Sequence, residues 1–92
     1  MKGEIMKNNP KANAAVRIFN YLDWHHIEVK DFARAIGHSA GAVSNFVNRD
    51  RLDQLGSPAL HECAKVMNIT FDELVSPIGP EYYEENKQWM IS

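Results

Sequence analysis

Val29–Asn48, VKDFARAIGHSAGAVSNFVN, decides the fold of this chain. Phe32, Ala33, Ile36, Val43 and Phe46 lie at helical spacing on either side of Gly37. The spacing predicts a short helix over about residues 30–36, a turn, and a second helix running to about Asn48 that packs across the first. Gly37 suits the stop, because a left-handed residue commonly ends a helix and glycine has no Cβ to clash. Ser39 is placed to cap the second helix. Ala33 is small where that helix crosses close above it, and Phe32, Ile36, Val43 and Phe46 fill the wedge between the two.

Outward from this segment the pattern stays helical. Asn9-Pro10 reads as a cap followed by a proline at the first helical position. Ala12, Ala15, Val16, Phe19 and Leu22 then mark one face of an amphipathic helix ending near Trp24. Before it, residues 1–9 (MKGEIMKNN) are polar and lysine-bearing, which predicts a flexible arm. On the other side, residues 49–56 read as a charged loop with one or two buried leucines. Ser57-Pro58 repeats the cap-plus-proline start, and Leu60, Cys63, Ala64 and Met67 form the stripe of a fourth helix. Thr70 and Glu73 form a capping box that opens a short fifth helix ending near Val75, before Pro77. No strand pattern and no internal repeat is visible. The expected architecture is an all-α, five-helix domain over residues 10–76, followed by a tail over residues 77–92.

Composition narrows the function classes. Ninety-two residues make one domain, and a hydrophobic fraction of 45% is ordinary for a globular protein. No apolar run approaches bilayer length, and no apolar stretch follows the N-terminal lysines as in a secretory signal. Cys63 is the only cysteine, so no intrachain disulfide can form, which fits a reducing, cytoplasmic setting. The net charge of -2 argues against a strongly cationic nucleic-acid coat. It is unevenly spread: residues 1–58 hold eight Lys/Arg and six Asp/Glu, or +2, and residues 59–92 hold two and six, or -4. The Val29–Asn48 segment sits in the more basic part.

No catalytic constellation emerges, so neither enzymatic activity nor a cofactor is expected. Gly37 and Gly41 do not match a phosphate-loop spacing. Cys63 lies on an apolar stripe and reads as a buried small hydrophobe. His25, His26, His38 and His61 lack the spacings of a metal site. His38, in the turn, reads as a partly buried neutral histidine.

Five short helices with brief connections resemble the lambda-repressor-like (Xre-type) helix-turn-helix family over about residues 12–76. Phe32-Ala33 look like the Leu-Ala pair of that family's second helix, Ile36-Gly37 like its Leu-Gly turn, and Val43-Ser44 like its Ile-Ser pair. ALHECAKVMNITFDELV is similar to its closing pattern. The resemblance implies a double-stranded DNA-binding regulator, a repressor of phage or bacterial type, with helix three in the major groove. By correspondence, Ala40, Gly41, Ser44 and Asn45 face the bases. Lys30, Ser39, Asn48, Arg49 and Arg51 are placed for phosphate contacts. Asn45 can bond adenine in a bidentate way, Ser44 can bond several bases, and Ala40 offers at most a methyl contact. No Arg or Gln stands where the family often has one, which implies weak direct readout and greater reliance on DNA shape. Lys2, Lys7 and Lys11 could add charge-driven affinity from the arm.

Tyr82, Tyr83, Trp89, Met90 and Ile91 make the tail richer in apolar surface than a disordered end. It is expected to pair two copies as a homodimer through residues after Leu74, or to pack back on its own domain. The alternative function is a protein-interaction module of antitoxin-like or anti-repressor type on the same fold, docking through this acidic, aromatic tail.

Overall fold

The computed structural model describes residues 9–90, which form seven α-helices and no strand. They are α1 (Pro10–Trp24), α2 (Val29–Ile36), α3 (Ala40–Val47), α4 (Ser57–Met67), α5 (Phe71–Val75), α6 (Pro80–Glu85) and α7 (Lys87–Met90), with a 3-10 turn at Leu52–Gln54 between α3 and α4. The arm expected over residues 1–9 lies almost wholly outside the described residues, as does Ile91 of the tail.

Sequence-local signals start the helices. Asn9 caps α1 by accepting the Ala12 N–H at 3.1 Å, with Pro10 behind it. Ser39 caps α3 by accepting the Ala42 N–H at 3.1 Å. The Thr70–Glu73 box closes in both directions: the Glu73 N–H donates to Thr70 Oγ1 at 3.0 Å, and the Thr70 N–H donates to Glu73 Oε1 at 2.9 Å. α4 departs from expectation. Its cap is Gly56, and Ser57 is already helical.

One device ends four consecutive helices. A residue with positive φ follows each last turn, and two crossed backbone bonds absorb the free carbonyls. At Gly37 (φ 77) these are Gly37 N–H to the Arg34 carbonyl and His38 N–H to the Ala33 carbonyl. The same pair recurs around His26 (φ 56), Arg49 (φ 63) and Asn68 (φ 61). Gly37 alone among these has no side chain to oppose the left-handed conformation.

The core is one cluster. α1 contributes Ala14, Ala15, Ile18 and Leu22, α2 contributes Phe32, Ala33 and Ile36, and α3 contributes Val43, Phe46 and Val47. Leu55, Ala59, Leu60, Cys63, Ala64 and Leu74 complete it. α1 lies against α3, α4 and α5, and α2 packs on both α3 and α4. The wedge residues around Gly37 are therefore buried as expected, and so is Cys63, whose thiol is pushed up to about 12 by desolvation and by neighbouring Glu62.

Two expectations are corrected. The buried face of α1 is rotated: Ala14 and Ile18 are sealed, Ala12 and Val16 are half-buried, and Phe19 is exposed. Both registers have helical spacing, and packing against α3–α5 selects the second. His38 is exposed, because the bond from its own N–H to Ala33 holds it on the outer side of the turn.

The segment after Pro77 is helical and packs back on its own domain. Tyr82 is the anchor. Asn20 Nδ2 donates to its hydroxyl at 3.0 Å, Trp24 stacks on its ring at 5.8 Å, and the Arg17 guanidinium lies over that ring at 5.2 Å. Arg17 also donates to the Leu74 and Ser76 carbonyls, tying the α5–α6 connection to α1. Burial lowers the Arg17 pKa and raises that of Tyr82. Trp89, in α7, meets the His25 ring at 4.7 Å.

Candidate nucleic-acid interface

α3 holds an outer face, Ala40, Gly41 and Asn45, clear of the core. Val43, Phe46 and Val47 anchor it from below, against α1 and α2. Its eight residues span about 12 Å at 1.5 Å per residue, short enough to lie in a groove of similar width. Of the expected base-facing residues, Ala40, Gly41 and Asn45 are exposed and Ser44 is half-buried. Ser44 turns toward α1, where it lines a shallow groove with Phe19, Asp23 and Asn48. Its hydroxyl accepts a bond from Asn48 Nδ2 at 3.4 Å.

Gly41 is informative through what surrounds it. A Cβ built there meets nothing within 4 Å. Internal packing therefore does not require glycine, although glycine lowers helix stability by roughly 0.5–1 kcal/mol relative to alanine. The first turn of α3 thus presents Ala40, Gly41 and the Ser39 hydroxyl as a low, nearly bare surface. The Ser39 oxygen accepts the capping bond, and its O–H remains able to donate outward.

Two of the three expected phosphate-binding cations, Lys30 and Arg51, are each paired with a carboxylate. Lys30 Nζ lies 3.6 Å from Glu28. Arg51 forks onto Asp53, with Nε to Oδ1 at 3.1 Å and one terminal nitrogen to Oδ2 at 3.0 Å. That fork raises the Arg51 pKa and lowers that of Asp53. Arg34, on the outer face of α2, pairs with Asp31 at 3.4 Å. Arg49 makes no ion pair among the described residues, but with Asn48 it lines a groove against α1 and the tail. Residues 28–53 hold four Lys/Arg and four Asp/Glu, so the surroundings of α3 are close to neutral. Sequence spacing could not show that most of these cations have a carboxylate neighbour.

No protein-family model, curated protein or solved structure matches this chain.

Proposed function

We propose that the protein binds double-stranded DNA as a transcriptional regulator of helix-turn-helix type, with α3 entering the major groove. The carrying observation is Gly41, which sits exposed in the first turn of α3 with open space where a side chain would stand. A helix that must bring its backbone close to another surface needs such a residue. In this reading Ala40, Gly41 and Asn45 face base edges, with Asn45 the strongest reader through an adenine. Ser44 acts from the margin. Ser39 donates its hydroxyl to a phosphate, and Lys30 and Arg51 exchange their carboxylate partners for phosphates. Such exposed pairs are weak enough to exchange. The carboxylates left behind still repel the duplex, so binding is modest in affinity and leans on DNA shape.

The test is selection from a random-sequence duplex pool at low salt, followed by sequencing of the retained fraction. Enriched sites containing an adenine that Asn45→Ala ceases to select support the reading. Retention of no duplex in about 20 mM salt, where screening is weakest, rules it out.

A second reading is favoured by the charge balance around α3. A face on which Lys30, Arg34 and Arg51 are all paired with acids is also suited to a protein partner, as in an antitoxin-like or anti-repressor module. Co-purification with a cognate protein, together with loss of all duplex retention, selects that reading.

A further inference from the structure

A cavity of about 490 Å³ lies between the C-terminal part of α1, the turn after α4 and helix α6, within the size range of small-molecule sites. Tyr21, Trp24 and Tyr82, all half-buried, give it aromatic walls. Arg17, Glu73, Glu81 and Glu85 also line it, so the lining carries a formal charge of -2 with His25 neutral. Arg17 shows what this chemistry accepts: its guanidinium lies 5.2 Å from the centre of the Tyr82 ring, where the π face attracts a cation. Arg17 also feels the charge of Glu73, and Glu73 is held by the Thr70 cap. Glu81 and Glu85 are left over. Both are exposed, and neither makes an ion pair among the described residues. They stand one helical turn apart on α6, which sets their Cβ atoms about 5–6 Å from each other and makes the like charges oppose the helix. Glu85 is also the last residue of α6, where the helix dipole disfavours an anion. A cation set between the two carboxylates relieves both costs.

We infer that this cavity binds an extended organic cation, a short aliphatic diamine or polyamine, with its ammonium groups against Glu81 and Glu85 and its methylene chain against Tyr21 and Trp24. A metal ion suits the site poorly. Among the described residues no three Asp, Glu, His or Cys side chains come together to hold one, and aromatic walls give a hard cation no oxygen ligands. An amine with two charges matches the two carboxylates that Arg17 leaves unneutralised. Its apolar stem matches the aromatic walls and the Met67 and Ile69 side chains beside them. The walls come largely from α1 and the free carboxylates from α6, so an occupied cavity also ties the tail to its domain. The inference does not depend on the reading of the α3 face as a DNA reader.

The experiment is an NMR titration of the full chain with putrescine dihydrochloride in about 20 mM salt, where exposed charges are screened least. Magnesium chloride at matched ionic strength and tetramethylammonium chloride are the controls. Putrescine should move the Trp24 indole N–H and the amides of residues 81–86 to a saturating end point. Glu81→Gln and Glu85→Gln should each weaken binding about two- to fivefold, as for an exposed ion pair, and the double variant about tenfold. Trp24→Leu should weaken it by a similar about two- to fivefold through the lost π face. Glu84→Gln should leave it unchanged, because Glu84 does not line the cavity and pairs with Lys87 instead. Both replaced glutamates are exposed and repel each other, so the helical circular dichroism spectrum should not change. Tetramethylammonium, with one charge, should bind at least about threefold more weakly than putrescine. Shifts that never saturate, or magnesium producing the same shifts, overturn the inference. A Glu84→Gln loss as large as that of Glu85→Gln, or tetramethylammonium binding as tightly as putrescine, overturns it too.

Discussion

Gly41→Ala separates the stability of α3 from the use of α3. The residue is helical, lies second in α3, and has nothing within 4 Å of where a Cβ would stand. The new methyl therefore meets no neighbour, and the only folded-state change is a better helix former. Gly to Ala in a helix interior gains roughly 0.5–1 kcal/mol. A first-turn position takes the lower part of that range, about 0.5 kcal/mol. For a domain of this size each kcal/mol moves the midpoint by about 4–8 °C, so Tm should rise by about 2–4 °C. If the first turn of α3 lies against DNA, the same methyl holds the two surfaces apart. Overfilling a close contact costs about 1–3 kcal/mol, which corresponds to a loss of affinity between about fivefold and about 150-fold. Thermal unfolding followed by circular dichroism reads the first effect, and fluorescence anisotropy with a selected duplex reads the second. A raised Tm with unchanged affinity refutes the placement of α3 against DNA. A lowered Tm refutes the open surroundings of Gly41 themselves.

Other consequences are more local. Ser39→Ala removes the α3 cap and should cost about 1 kcal/mol, lowering Tm by about 4–8 °C. His26→Gly relieves a left-handed non-glycine residue and should raise stability by about 0.5–1 kcal/mol, less than the full penalty because glycine is freer in the unfolded chain; denaturant midpoints with an unchanged slope check it. Arg17→Met loses the bonds to the Leu74 and Ser76 carbonyls and the contact with Tyr82. It should cost about 1.5–3 kcal/mol and loosen the tail, seen as faster amide exchange over residues 80–90. The Cys63 thiol, held up to about 12, keeps its proton in the folded state while the unfolded chain loses it near the ordinary thiol value. Its stabilising contribution is therefore complete below about pH 8.5 and falls away as pH rises toward 12. At pH 8 a thiol reagent should react with Cys63 only as fast as the chain opens.

The sequence announces a feature well where one residue or a short local bond creates it. Asn9-Pro10, Gly37, Ser39 and the Thr70–Glu73 box are of that kind, and each acts where it was expected to. The rotated face of α1 is a different case. KANAAVRIFNYL carries apolar groups around much of the helix, so two registers compete, and only contacts with α3–α5 choose between Phe19 and Ile18. The ends of α1, α3 and α4 fall close to where the apolar spacing runs out, but their left-handed caps were hidden, because His26, Arg49 and Asn68 occupy positions where glycine would have been the signal. α6 did have a signal, Gly79 followed by Pro80 and Glu81, and the Tyr82 contacts that fix it are more than fifty residues away in sequence. At the α3 face the family resemblance pointed to Ala40, Gly41 and Asn45, which are exposed, and to Ser44, which is half-buried. The ion pairs that neutralise their surroundings were not legible, because Lys30–Glu28 and Arg51–Asp53 depend on side-chain geometry.

The central claim, that the outer face of α3 binds duplex DNA, is tested most directly by the backbone amide NMR spectrum of the chain titrated with a duplex at low salt. The account predicts salt-sensitive shifts concentrated at Ser39, Ala40, Gly41 and Asn45, while the amides of buried Leu60 and Cys63 stay in place. A spectrum that does not move, or one that moves only around Phe19, Tyr83 and Trp89, contradicts it.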